Sequence, residues 1–103
     1  MKVRILSAKW TVCFVDEDTI QQYTDPDMEM LGCTLFHEGR ILIRRGLAPS
    51  VARATIIHEV THATIFSGGY KLQDEEDYCD FIGANLYTIA KVAAEIQTEY
   101  LLS

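Results

Sequence analysis

The sequence predicts a single α+β domain that spans residues 1–103, with a small antiparallel sheet in its first half and two helices in its second half. Two observations carry this prediction. Residues 2–45 contain short runs rich in β-branched and aromatic residues, which favour strands. Beyond Pro49, longer segments have apolar residues at helical spacing. A chain of 103 residues has room for one hydrophobic core.

Four strands are predicted before residue 46. Residues 2–6 and 9–15 form the first two, and residues 31–36 and 40–45 form a hairpin. The turn of this hairpin contains Gly39, which can adopt the positive φ that a tight turn requires.

The segment 16–30 separates the second and third strands and is strongly acidic. It holds six carboxylates together with Pro26, a composition typical of a solvated loop or a short turn of helix. A solvated acidic face is the favoured interpretation, and attraction of a basic substrate or partner is the alternative.

Two helices follow the hairpin. The first is predicted over residues 50–67, with Ser50 as its cap after Pro49, and it ends at the glycine pair 68–69. The second is predicted over residues 74–101, with Asp74 as its cap and three acidic residues in its first turn.

Charge and composition exclude several classes of protein. The net charge of −6 argues against a nucleic-acid partner, because such proteins neutralise phosphates with cations. No segment approaches the roughly 18 consecutive apolar residues that a membrane span needs. The three cysteines are far apart in the sequence, so we expect reduced thiols in a cytoplasmic protein, and the amino-terminal residues lack the apolar run of a signal peptide.

The first predicted helix contains the motif His-Glu-x-x-His at residues 58–62. Residues four apart lie on the same helix face, so His58 and His62 can bind one Zn²⁺ ion. Glu59 points about 100° away from His58, where it can reach a zinc-bound water and accept its proton. The pattern therefore predicts a catalytic zinc site with Glu59 as general base.

A third protein ligand is expected from the second helix, because catalytic zinc ions usually have three. Glu76, Asp80 and Gly83 lie within about 60° of one another on that helix. This face suggests Glu76 as the ligand, Asp80 as hydrogen-bond acceptor for a ligand histidine, and Gly83 as the point of close approach between helices. Glu75 is the alternative third ligand, on a face that points toward the apolar core. The remaining histidine, His37, falls in the predicted hairpin turn and is a poor candidate.

The two-helix pattern resembles the gluzincin zinc metallopeptidases, and most closely their minimal ImmA/IrrE-like and phage-encoded members. The resemblance covers about residues 31–95 of the chain. It implies a zincin fold with His58, His62 and Glu76 as zinc ligands. It also implies that Glu59 is the general base and that a peptide substrate lies along an edge strand within residues 40–45.

The predicted function is that of a zinc-dependent endopeptidase acting on a protein or peptide. The alternative is a non-catalytic zinc-binding interaction or scaffold module that keeps the same fold. So small a domain has little surface for substrate selection, which favours a homo-oligomer or a regulatory protein partner in either case.

Two further groups of residues are candidates for roles in substrate binding. The resemblance implies a tyrosine or histidine that stabilises the oxyanion. Tyr70, Tyr78 and Tyr87 are candidates, although core or surface packing is the favoured interpretation of each. Four arginines form a local basic cluster, for which ion pairs with the acidic segment are the favoured interpretation and selection of an acidic peptide is the alternative. These are Arg40, Arg44, Arg45 and Arg53.

Overall fold

The computed structural model describes all 103 residues and shows a four-stranded sheet with two long helices. The α+β class is confirmed, and each predicted strand and helix is present to within two residues at its ends. The strands are β1 (Lys2–Ile5), β2 (Ala8–Val15), β3 (Gly32–Leu35) and β4 (Arg40–Arg44). The helices are α1 (Glu17–Gln21), α2 (Pro49–Gly68) and α3 (Glu75–Leu102), and a single 3₁₀ turn covers Phe36–Glu38.

The sheet is mixed, whereas an antiparallel one was predicted. Its strand order is β1-β2-β4-β3, and β2 pairs with β4 in parallel. The β3–β4 hairpin is present, with Gly39 at φ 61° in its turn. The prediction that residues 40–45 form an edge strand is wrong, because β4 lies between β2 and β3. Three consecutive residues of β4, Ile41–Ile43, are fully buried, as expected for a strand covered on both faces.

One face of the sheet carries the main core. Ile41 and Ile43 point toward α2 and α3, whereas Leu42 points to the other face, against which α1 packs. Besides these residues of β4, the main core is built from β1, β2 and both long helices. They include Ile5, Trp10, Val12, Ile56, Val60, Phe81, Ile89 and Ile96.

The helix caps agree only in part with the predictions. Asp74 caps α3 by accepting a 2.9 Å hydrogen bond from the Asp77 backbone N–H. The α2 helix instead begins after Ala48 with Pro49 in its first turn, so Ser50 is inside the helix and is not its cap. At the other end of α2, Gly69 adopts φ 67°, the left-handed conformation that ends many helices. Asp16 caps α1, and the hydrogen bonds from Thr19 lower the pKa of this carboxyl.

The face of α3 that meets the core differs from the predicted one. Phe81, Asn85 and Ile89 are buried, whereas Glu75 is exposed, so Glu75 does not point toward the core. Gly83 is exposed as well, and a Cβ atom added there would have no neighbour within 4 Å. The expected close approach of another helix at Gly83 is therefore wrong. The reason is that the apolar residues of α3 occupy more than one face, and packing on β1 and α2 buries only one of them.

The carboxyl-terminal end of α3 fixes the start of α2. The Tyr100 hydroxyl donates a 2.6 Å hydrogen bond to the Arg44 carbonyl and accepts one of 2.9 Å from the Leu47 N–H. The Tyr100 ring also packs edge-to-face on Phe14 of β2, with ring centroids 5.2 Å apart. These contacts join β2, α3 and the β4–α2 connection. None of the helices has the length and apolar composition needed to cross a membrane.

Candidate functional site

The α2 helix brings His58 and His62 together on its exposed face. Their Nε2 atoms are 3.2 Å apart, and the rings meet edge-to-face with centroids 4.8 Å apart. The His58 side chain is 67% exposed, so ligands have access to it from solvent. The structure therefore confirms that the spacing of four residues brings both imidazoles together on one face of the helix.

Glu59 has a very different environment from the two histidines. It is only 6% exposed and lies beneath β3, where the Thr34 hydroxyl donates a 2.7 Å hydrogen bond to Oε1. The other oxygen, Oε2, lies 3.9 Å from His58 Nε2. One carboxylate oxygen is therefore held by the edge strand, and the other faces the histidine pair.

Gly32 allows β3 to approach Glu59 this closely. A Cβ atom at residue 32 would lie 2.7 Å from Thr55 Cγ2 and 2.9 Å from Glu59 Cγ, both much closer than van der Waals contact. Sequence reasoning did not identify Gly32 or Thr34 as site residues. The alternation along β3 could have indicated their common orientation, but the sequence does not show which strand crosses α2.

β3 is an edge strand whose outer side is open. The Arg44 N–H donates to the Leu31 carbonyl, and the antiparallel register then directs Cys33 and Leu35 to β4. The backbone N–H and C=O groups of Gly32 and Thr34 consequently point away from β4. They are free to pair with another extended chain next to Glu59.

A cleft of about 410 Å³ opens beside His58 and Glu59. Its outer wall is the segment 24–31, and Ala54 and Thr55 of α2 form its inner wall. Arg44 ties this wall to the sheet through an ion pair with Glu29, at 3.0 Å, and it also pairs with Glu17 of α1, at 3.4 Å. The favoured interpretation of the arginines, ion pairing with the acidic segment, is thereby confirmed for Arg44.

The carboxylates at the start of α3 do not join the histidine pair. Glu75, Glu76 and Asp80 are all exposed, and no group of three or more histidine, cysteine, aspartate or glutamate side chains is arranged to hold a metal ion. Asp74 and Asp77 are used locally, because each accepts a backbone hydrogen bond at the start of the helix.

The three tyrosines proposed for the oxyanion lie in different places. Tyr70 packs edge-to-face on Phe81 and lines a second cleft, of about 390 Å³, together with His62. Tyr78 and Tyr87 are on α3, where they are 53% and 86% exposed. Of the three, Tyr70 is the one that shares a cleft with a histidine of the motif.

Cys33 lies next to the site residues in β3. Partial burial raises the pKa of its thiol, and the nearby carboxylates of Glu59 and Glu38 raise it further by disfavouring a thiolate. The Cys33 thiol is therefore harder to ionise than an ordinary cysteine thiol, which lowers its reactivity as a nucleophile.

No protein-family model, curated protein or solved structure matches this chain. The candidate site is therefore defined by residues that converge where α2 passes β3. They are His58, Glu59 and His62 on the helix and Gly32 and Thr34 on the strand.

Proposed function

We propose that this protein is a zinc-dependent endopeptidase. The observation that carries the proposal is the convergence of two exposed imidazoles, with Nε2 atoms 3.2 Å apart, on a buried carboxylate that lies 3.9 Å from one of them. Glu59 thus has one oxygen held by Thr34 and the other directed at the histidine pair, as a general base at this position requires.

The distance between the histidines fits a shared zinc ion. Zn²⁺ binds imidazole nitrogens at about 2.0–2.1 Å, so Nε2 atoms 3.2 Å apart are close enough for both to bind one ion. When bound, zinc would polarise the peptide carbonyl and make water a stronger acid. His58 and His62 would hold it.

We propose Glu76 as the third ligand, with Glu75 as the alternative. The outer groove between the two long helices is lined by Ile57 of α2 and Ala90 of α3. Glu76 precedes Ala90 by 14 residues, which places it about 40° away around α3 and about 21 Å nearer the start of that helix. Glu75 lies about 60° from Ala90 on the other side, in line with Ala93 of the same groove, so the helical angle does not distinguish the two carboxylates. Asp80 lies one turn after Glu76 and would support a ligand histidine. Metal binding is coupled to the ordering of its ligands. A change of conformation in the connection 69–74 would bring the start of α3, with Glu76, to the histidine pair.

The open edge of β3 would bind the substrate. An extended peptide can pair with the free N–H and C=O groups of Gly32 and Thr34 and so become a fifth strand of the sheet. This position brings its backbone directly over Glu59, which Thr34 holds from the same strand.

Glu59 would move the proton in the reaction. Its free oxygen takes a proton from the attacking water as the water oxygen bonds to the peptide carbonyl carbon. The carbon–nitrogen bond then breaks, and Glu59 returns the proton to the leaving amine. Thr34 positions Glu59 throughout by donating to its other oxygen.

Metal content and peptide cleavage, measured on the same set of variants, test this proposal. Protein purified without chelator is expected to contain one zinc ion per chain. Glu59→Gln should keep the zinc and lose cleavage of an unfolded protein such as casein, whereas His58→Ala and His62→Ala should lose both. His37→Ala is the matched control, because His37 is exposed in the β3–β4 turn and lies outside the motif, and it should keep the zinc.

The third ligand is tested by a second pair of variants. Glu76→Gln should weaken zinc binding by at least tenfold, a typical loss when a ligand or its support is removed, while Glu75→Gln should not. The opposite result would show that Glu75 is the ligand. A wild-type protein that binds no zinc would overturn the proposed class of enzyme.

A non-catalytic zinc-binding interaction module is the second candidate. It is favoured by the apolar residues that α3 leaves exposed, among them Tyr78, Ile82 and Leu86, which are 45–58% exposed. The same experiment separates the two candidates. Zinc bound through His58 and His62, without cleavage of any substrate by the wild-type protein, would favour the module.

A further inference from the structure

Two clefts flank the histidine pair, one at each end of β3. The first, which we call the methionine cleft, lies beside His58 and Glu59 and has Met28, Met30 and Leu31 in its wall. The second, which we call the aromatic cleft, lies beside His62 and is lined by Phe36, Phe66 and Tyr70 among others. The proposed reaction centre is between them.

The aromatic cleft contains aromatic rings that are partly exposed to solvent instead of being buried in the core. Phe36 and Phe66 are 38% and 46% exposed, although each packs against another ring. Their centroids lie 5.2 Å apart, and Phe36 is 6.1 Å from the His62 ring. Concave sites lined by aromatic and apolar side chains are typical binding sites for apolar groups.

The methionine cleft has a different character. Met28 is 59% exposed, and unbranched methionine side chains adapt to apolar groups of different shapes. Its lining contains no lysine or arginine that would attract an acidic side chain, and Glu29 in its wall is paired with Arg44. Apolar side chains are therefore common to both clefts: Met28, Met30 and Leu31 line the first, and Phe36, Ile65 and Phe66 line the second, which also has Lys71 in its lining.

The separation of the two clefts can be estimated from two elements independently. The α2 residues that line the first cleft lie within 54–59 and those that line the second lie within 62–66, so the two centres are about eight residues, or about 12 Å, apart along the helix. Gly32 at the start of β3 lines the first cleft, and Phe36, which directly follows β3 in the 3₁₀ turn, lines the second, four residues or at most about 13 Å away. An extended peptide covers about 13 Å in four residues.

We infer that the substrate is an extended peptide with two apolar side chains four residues apart, one on each side of the cleaved bond. The inference rests on the proposed function and adds its substrate class. Residues i and i+4 of a strand point to the same face, so both side chains can enter clefts on the α2 side of the sheet edge. A spacing of three would direct one of them away from α2. The aromatic cleft would take the bulkier side chain.

Binding of a peptide series to the zinc-loaded Glu59→Gln protein tests the spacing without any catalysis. The probes are fluorescent twelve-residue peptides of alanine, serine and lysine that carry one phenylalanine and one leucine, two to six residues apart. The peptide with a spacing of four is expected to bind at least about tenfold more tightly than the peptide with a spacing of three, because it buries both apolar side chains. Equal affinity across the series would overturn the inference.

Two variants assign the clefts. Phe66→Ala should abolish the affinity that the peptide gains from its phenylalanine. Met30→Ser should reduce the affinity that it gains from its leucine. Leu86→Ala, which removes a 58% exposed apolar side chain from α3, is the control and should change neither. If Leu86→Ala matched the effect of Phe66→Ala, the aromatic cleft would not be the binding site.

The outcomes separate this inference from the proposed function. Cleavage by the wild-type protein with no dependence on spacing would overturn the two-cleft inference and support the endopeptidase. Spacing-dependent binding by a protein that never cleaves would support the clefts and overturn the endopeptidase.

Discussion

The Thr34 hydroxyl donates a 2.7 Å hydrogen bond to Glu59 Oε1, which joins the edge strand of the sheet to the carboxylate of the His-Glu-x-x-His motif. Both residues are at least nine-tenths buried, so water cannot replace this hydrogen bond for either partner. We expect Thr34→Val to lower the free energy of unfolding by about 1–3 kcal/mol, the usual effect of leaving a buried polar group without its partner.

Thr34→Ser is the matched control because it keeps the hydroxyl. Urea unfolding followed by circular dichroism should rank the stabilities as wild type, Thr34→Ser, Thr34→Val. If the endopeptidase proposal is correct, Thr34→Val should also reduce kcat more than KM, since it displaces the general base. A serine variant as unstable as the valine variant would show that packing, and not the hydrogen bond, is what matters at this position.

The two glycines near the helices make a second test. Gly32→Ala places a methyl group 2.7 Å from Thr55 Cγ2 and should destabilise the protein by about 1–3 kcal/mol through overpacking. Gly83→Ala meets nothing within 4 Å in the interior of α3 and should stabilise it by about 0.5–1 kcal/mol. Thermal unfolding of the two variants should therefore shift in opposite directions. A loss of stability in Gly83→Ala would show that another surface does approach α3 there.

Tyr100 gives a third prediction. Its hydroxyl bonds to the Arg44 carbonyl and the Leu47 N–H, so Tyr100→Phe should cost about 1–3 kcal/mol of stability by leaving both backbone groups unpaired. Tyr87→Phe is the control, because Tyr87 is 86% exposed and its change should stay within about 0.5 kcal/mol. Hydrogen exchange at Leu47 should be faster in Tyr100→Phe, and an unchanged exchange rate would contradict the role assigned to this hydroxyl.

The thiols give a prediction about pH. The pKa of Cys33 is raised in the folded protein, so the unfolded thiol ionises first as pH increases. This residue therefore contributes stability below the ordinary pKa of about 8.5, and the contribution is lost as pH rises above it. At pH 8.5, iodoacetamide followed by mass spectrometry should modify the exposed Cys79 well before Cys33. Simultaneous labelling would show that Cys33 is not protected, and Cys33→Ala should reduce the loss of stability as pH rises through this range.

The sequence identifies the helical part of the site well. Residues four apart lie on the same side of a helix in any environment. The placement of His58 beside His62 could therefore be predicted from their spacing alone. The same holds for the cap at Asp74 and the turn at Gly39, which depend on neighbouring residues only. The prediction failed for Ser50, because Pro49 takes the first helical position itself.

Contacts between segments far apart in the sequence could not be predicted from spacing within one element. Helical spacing placed Gly83 on a plausible contact face, but α3 has apolar residues on more than one side, and only packing selects Phe81 and Ile89 for the core. Likewise, three consecutive buried residues in β4 are compatible with an interior strand, yet only strand pairing shows that β3 and not β4 is the open edge.

The sequence by itself therefore determined the α+β class, the element order and the histidine pair, because each depends on contacts within one element or one turn. The tertiary structure decided that Thr34 and Gly32 cover Glu59, that β3 offers its free backbone beside it, and that two clefts flank the pair. Those features join residues more than 20 positions apart, and the register and packing of whole elements fix them.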